Sequence, residues 1–222
     1  MISGLYRPSR GRVLLNGEDV TGQPPHRLAA RGLSRTFQNL QIFFRMTALE
    51  NVMVGRHLKE ARGVVPHLLR LPSVGRQNAA TEAAARELLA FVGLGDHAGR
   101  SAGSLSYGAL KRLEIARALA AEPTLLMLDE PAAGCNSVET GEIDGLIQQV
   151  ARRGVTVVLV EHDMKLVMKI SDRILVLDQG RRMAEGTAEE VRADPDVIRA
   201  YLGTQGKAVD GAISGGDGAA HG

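Results

Sequence analysis

The sequence predicts an α/β fold built on a parallel sheet, and three observations predict it. Residues 125–128 and 155–160 are near-continuous apolar runs, the pattern of strands covered by helices on both faces. Each run follows a segment of helical spacing: Leu110, Leu113, Ala116 and Ala120 before the first, Ile143 to Val150 before the second. Each run also ends in charged residues, Asp129-Glu130 and Glu161-His162-Asp163, where open α/β sheets bind ligands. A length of 222 residues suffices for one sizeable core, or for one domain with a smaller lobe attached.

Taken in order, residues 1–6 read as the tail of a helix, with Gly4 as its stop and Pro8 beyond it. Val13 to Leu15 followed by Asn16-Gly17 reads as a strand entering a tight turn, and 33–37 as a second short strand that delivers Gln38. Ile42, Phe43, Phe44 and Met46 place apolar residues in a loop, the mark of either a docking surface or core packing. A helix is expected at 49–56. Residues 62–78, punctuated by Pro66, Pro72 and Gly75 and basic in character, read as a peripheral insertion, and an Ala/Glu/Leu-rich helix follows at 79–92.

Ser106, Tyr107 and Gly108 then open the helix that carries Leu110 and Leu113. A hydroxyl, a glycine and unpaired N–H groups at a helix N-terminus suit a phosphate oxygen, because donors and dipole point the same way. Taken singly, a Ser-x-Gly is an ordinary cap and an Asp-Glu after a strand an ordinary turn. At this mutual spacing they read as parts of one phosphate chemistry. Pro131 ends the strand, and Asn136 with Glu139 makes a capping box for the next helix. Residues 155–160 are expected to be a buried strand; 174–177 and 181–184 are strands joined at Gln179-Gly180. Thr187 with Glu190 and Asp194 with Pro195 start the last two helices, which Gly203 closes, and 204–222 are expected to be a disordered tail.

Composition excludes several classes. A formal charge of +2 and 3% aromatic residues without Trp give no footprint for nucleic acid. The lone Cys135 rules out an internal disulfide and fits a reducing compartment, where it serves as a small apolar side chain. No apolar run approaches the roughly 20 residues of a membrane span, and the start has no signal-peptide pattern. The chain is therefore expected to be cytoplasmic, with any membrane contact made through a partner.

The segment LSYGALKRLEIARALAAEPTLLMLDEPAAG resembles the signature and Walker B motifs of ABC-transporter ATP-binding subunits, most of all those of branched-chain amino-acid importers. The resemblance runs from Ile2 to about Leu202. It implies a P-loop NTPase-like ABC ATPase domain over 1–203, with a helical signature lobe at about 48–120. It further implies ATP and Mg²⁺ as cofactors, Asp129 and Gln38 at the metal, and Glu130 as general base. His162 and Gln38 would lie at the γ-phosphate and the attacking water, with Ser106, Tyr107 and Gly108 on a partner's nucleotide. The implied partners are transmembrane permease subunits and a second ATPase subunit at the cytoplasmic face of the plasma membrane, with residues 132–136 at the subunit contact.

Two departures stand out. Ala109 and Leu110 replace the glutamines frequent in that signature. The phosphate loop G-x-x-x-x-G-K-[ST] does not occur in these 222 residues; Gly206-Lys207 is followed by Ala208 and does not follow a strand. Losing about four charge-assisted bonds to phosphate would cost roughly 6–12 kcal/mol, enough to abolish ATP binding in cis. The expectation is that Met1 is a wrong start or a truncation, and that the strand preceding the loop is missing with it. The alternative is a degenerate subunit that docks on a permease and lends its signature to a companion.

Overall fold

The computed structural model describes residues 1–57 and 72–202, which cluster in two units, Met1–Val160 and Glu161–Gly222. The first unit opens without the expected helix tail: residues 1–6 form turns instead. The N–H of Gly4 bonds back to the carbonyl of Met1 at 2.9 Å, and Gly4 takes φ +75°, which reverses the chain after a single turn. Strands β1 (Leu14–Leu15) and β2 (Glu18–Asp19) then pair antiparallel across Asn16-Gly17. Both turn residues have positive φ, +51° and +82°, as a two-residue hairpin demands. Helix α1 (Pro25–Ala30) has no counterpart in the sequence reading, because six residues headed by Pro24-Pro25 are too few to show a period. Its buried Leu28 packs with Val20, Leu33 and Met127 under the sheet.

The sheet of this unit is three parallel strands in the order β3 (Leu33–Arg35), β4 (Leu125–Asp129), β5 (Thr156–Val160). Central β4 is buried as its composition requires, with Leu126, Met127 and Leu128 at most 8% exposed. Edge strand β5 corrects an expectation. Its run is apolar, yet Val158 and Val160 are 37% and 51% exposed, because burial alternates along β5 and the face carrying them is not covered by the described residues.

Helix α2 (Ala48–Gly55) starts on a capping box between Thr47 and Glu50. Helix α3 (Pro72–Phe91) begins seven residues earlier than expected, so Gly75 and Asn78 belong to it rather than to an insertion. A proline is tolerated in the first turn, where its missing N–H has no intrahelical partner. Residues 62–71 of the expected insertion lie outside the described residues. Short 3₁₀ turns at Gly95–His97 and Ala102–Ser104 lead into α4 (Tyr107–Leu119), and α5 (Ser137–Arg152) precedes β5. The stripe Leu110, Leu113, Ala116 and Ala120 is buried as its spacing requires.

The second unit holds α6 (Met164–Ile170), a hairpin of β6 (Ile174–Asp178) and β7 (Arg181–Gly186), α7 (Ala188–Ala193), α8 (Pro195–Val197) and a π turn at Ile198–Leu202. Ile174, Val176, Ala184, Val191 and Val197 form its core. Leu175 and Leu177, on the other face of β6, are 54% and 52% exposed. The caps at Thr187 and Asp194 stand where the sequence put them; Gly203 and the tail after it lie outside the described residues.

Helices α2 and α4 cross where Gly55 meets Arg117 and Ala120. A Cβ at Gly55 would strike the carbonyl oxygen of Arg117 and stand 2.9 Å from the Cβ of Ala120. Gly55→Ala is expected to lower unfolding stability by about 2–3 kcal/mol through overpacking. Urea denaturation of the two chains checks this; an unchanged midpoint would show that the helices separate freely.

Candidate functional site

The parallel register of β3 on β4 brings two polar ends together. The N–H of Thr36 donates to the carbonyl of Met127 at 2.9 Å, and its buried hydroxyl accepts from the N–H of Asp129 at 3.4 Å. Asp129 thus stands beside Thr36, two residues before Gln38, which is exposed. The Asp129 carboxylate is already paired: Oδ2 accepts from Nη2 of Arg35 at 2.8 Å, and Nη1 of Arg35 donates to Ser3 Oγ at 2.6 Å. The guanidinium also lies 5.3 Å from the Phe37 ring centre. Each partner is about a quarter exposed (25% and 26%), so solvent screens the pair and its contribution to stability is modest.

Glu130 follows with φ +46°, a conformation that non-glycine residues rarely adopt. Two main-chain bonds hold it there, from its N–H to Val160 O at 3.0 Å and from Ala133 N–H to its carbonyl at 3.1 Å. A strained residue held by its surroundings at the end of a ligand-binding sheet is the pattern of a functional site.

Ser106 caps α4, its hydroxyl accepting from Ala109 N–H at 3.3 Å. Tyr107 is 43% exposed and lies along Gly134, whose φ is +80° and where a Cβ would stand 3.1 Å from the ring. The N–H of Gly108 donates to Oε1 of Glu139 at 3.2 Å, so an acidic side chain from the first turn of α5 sits at the positive N-terminal end of α4. The capping box predicted for Asn136 and Glu139 is formed at the same time. Burial and the charge of Glu139 raise the pKa of the nearby Cys135 thiol, which keeps it protonated and agrees with a packing role.

Behind Gln38 lies an open groove of about 580 Å³ whose walls include Phe37, Leu40, Phe43 and Val54 and whose floor includes Glu114 and Arg117 of α4. The apolar loop is buried in part and exposed in part. Ile42 is buried at 8%, whereas Phe43 and Phe44 are 48% and 49% exposed. Asn51, fully buried, clamps this loop by accepting from Phe43 N–H and donating to the carbonyls of Phe43 and Thr47. Burial pushes the Glu114 carboxyl above its ordinary range, against the hydrogen bond it accepts from Gln41 N–H at 3.3 Å, and burial also lowers Arg117. Arg35, Thr36, Asn51 and Glu114 are absent from the sequence reading, and Glu139 enters it only as a cap.

In the second unit His162 precedes α6. Its side chain is 76% exposed, with Nδ1 3.9 Å from Oε2 of Glu161, and its N–H donates to that same oxygen at 3.3 Å. Asp163 caps α6 through Lys165 and Leu166 N–H groups.

A family described as ABC transporter matches residues 1–133. The chain belongs to the ABC transporter ATP-binding family, whose members hydrolyse ATP. A second profile, described as branched-chain amino acid ATP-binding cassette transporter, matches residues 181–207. The chain is 46% identical over 203 residues to the high-affinity branched-chain amino acid transport ATP-binding protein BraF of Pseudomonas aeruginosa. LivG of Escherichia coli K12, described in the same words, is also 46% identical; each alignment covers 91% of this chain and 80% of the relative. The lipopolysaccharide export system ATP-binding protein LptB of Haemophilus influenzae is 32% identical, over 93% of this chain and 80% of its own length. Among solved structures, the ADP conformation of MJ1267, an ATP-binding cassette of an ABC transporter, has TM-score 0.76 and 32% identity over 91% of this chain and 80% of that one. A nucleotide-free ABC cassette has TM-score 0.71 at 29% identity, covering 96% of this chain and 81% of its own. The ABC fold agrees with the α/β class expected from the apolar runs.

The buried Glu114 gives this ABC subunit a measurable pH signature. Its folded pKa is raised, so the native chain binds more protons than the unfolded chain between the ordinary value of 4.5 and the folded value. Stability contributed there is present below 4.5 and lost as pH rises through the folded pKa. Glu114→Gln keeps an acceptor for Gln41 N–H and is expected to remove that decline. Melting temperatures of both chains across pH 4 to 8 check it; parallel curves would show that Glu114 is solvated.

Proposed function

We infer that this chain is an ATP-binding, ATP-hydrolysing subunit of an importer for branched-chain amino acids, acting with transmembrane permease subunits at the cytoplasmic face of the plasma membrane. The observation that carries the reading is the 46% identity to two branched-chain amino acid transport ATP-binding proteins over 91% of the chain, against 32% to a lipopolysaccharide exporter subunit. Among the described residues no helix is long and apolar enough to cross a membrane, and the groove edged by Phe37 and Phe43 offers an apolar surface for a permease helix.

In this reading Asp129 and Gln38 would hold Mg²⁺. The donor chemistry fits, since Mg²⁺ is bound through one or two carboxylates together with waters and substrate phosphates, and the Asp129 carboxylate already holds a cation, Arg35, that must yield. The ion when bound neutralises charge on the phosphates. Glu130, fixed in its strained conformation, takes a proton from the attacking water, which Gln38 orients. His162 bonds the γ-phosphate, and Ser106, Tyr107 and Gly108 face the nucleotide held by a second ATPase subunit.

A second reading is that these 222 residues contribute only this signature in trans to a companion. Purified chain titrated with Mg·ATP separates the two: binding at micromolar nucleotide supports cis catalysis, and no binding at millimolar nucleotide supports the trans role. In a permease complex assembled on this chain, Glu130→Gln is expected to lower ATP turnover at least about 100-fold with ATP-dependent pairing retained. Full turnover in that variant would remove Glu130 from the role of base.

A further inference from the structure

The N-terminus of α4 is not open to an arriving anion, because an anion of the chain itself stands there. Oε1 of Glu139 accepts from the N–H of Gly108 at 3.2 Å and lies 3.5 Å from Oγ of Ser106. Its other oxygen accepts from the N–H of Asn136 at 3.2 Å, so a single carboxylate spans the first turns of α4 and α5 and meets the positive ends of two helix dipoles. A side chain at residue 108 would have to push that flexible carboxylate aside. A Cβ there would lie 2.5 Å from both Cδ and Oε1 of Glu139. Capping α5 does not by itself require this contact, since a capping box is satisfied within its own helix by Asn136 and Glu139.

We propose that Glu139 is a built-in competitor for phosphate at the signature helix: its carboxylate holds the Gly108 and Ser106 donors until a nucleotide phosphate displaces it. The inference rests on the reading of Ser106–Gly108 as the nucleotide-facing motif. A phosphate oxygen and the Glu139 carboxylate cannot share one N–H at normal hydrogen-bond length without two negative charges in contact. Binding therefore breaks the Gly108–Glu139 bond and turns the carboxylate away, while its capping of α5 through Asn136 can persist. Glu139 is a positioning residue: it presets the donors of α4 in the absence of nucleotide and sets a threshold that phosphate must exceed, which restrains pairing around weakly held nucleotide.

The test follows the amide resonance of ¹⁵N-labelled Gly108 in the full chain during titration with inorganic phosphate at low ionic strength. Glu139→Gln keeps an acceptor and a side chain suited to the capping box, and is expected to bind phosphate at Gly108 about fivefold to tenfold more tightly than the unaltered chain, for one charge removed a few ångströms from the anion. Glu139→Ala should shift affinity in the same direction with some loss of thermal stability. Glu142→Gln makes the same change of charge one turn further along α5, where Glu142 pairs with Arg112 at 3.1 Å, and should change the affinity less than twofold. Equal affinity in the unaltered chain and both Glu139 variants overturns the proposal, as does an equal gain in Glu142→Gln. Inorganic phosphate as the probe keeps this result separate from the ATPase reading: failure of ATP turnover or pairing would leave the Gly108 titration intact, and a flat titration would leave turnover untouched.

Discussion

The site depends on the burial of β4. Three consecutive large apolar residues, Leu126 to Leu128, exclude water from a strand paired on both edges, and the chain must turn polar as soon as it leaves that cover. Asp129 and Glu130 are that transition. Their positions are fixed by neighbours rather than by their own preferences: Thr36 anchors the N–H of Asp129, and the main chain at Val160 and Ala133 holds Glu130 in a backbone conformation it would otherwise avoid. Rigid strands thus set the two carboxylates side by side, which a surface loop could not do with the same precision.

A second regularity is that two charged or charge-seeking elements of the first unit have internal partners. Arg35 sits on the Asp129 carboxylate, and Glu139 on the N-terminus of the signature helix. Both solve the same physical problem. Partly buried groups that are meant to meet ions lose solvation before any ion arrives, and an intramolecular partner offsets that loss. In the proposed reading these partners occupy the donors and acceptors that a nucleotide and its metal would use, and binding would exchange partners rather than fill empty space. The groove behind Gln38 follows a related logic, with a partly desolvated Glu114 and Arg117 beneath an apolar rim.

Some of this was legible in the chain. The caps at Ser106, Asn136, Thr187 and Asp194 and the turns at Asn16-Gly17 and Gln179-Gly180 are local, set by one side chain and its next three neighbours, and all stand where the residues indicate. The buried stripe of α4 and the acidic end of β4 likewise follow from spacing. What misled was burial inferred from composition. The run at 155–160 is as apolar as β4, yet its exposure alternates because only one face of the strand is covered among the described residues. The start of α3 was misplaced because Pro72 and Gly75 were read as breakers, although a proline in a first turn breaks nothing.

The sequence by itself determined the α/β class, the family through its signature and Walker B segments, and the position of each chemical group along the chain. The class and the positions rest on short-range rules of periodicity, capping and turn geometry, which act within a few residues, and the family rests on the resemblance of its motifs. The tertiary structure alone decided the pairings of Arg35 with Asp129, of Thr36 with the N–H of Asp129, and of Glu139 with Gly108. Those partners are separated by 94, 93 and 31 residues, and no local propensity encodes a contact that exists only once strands and helices have packed.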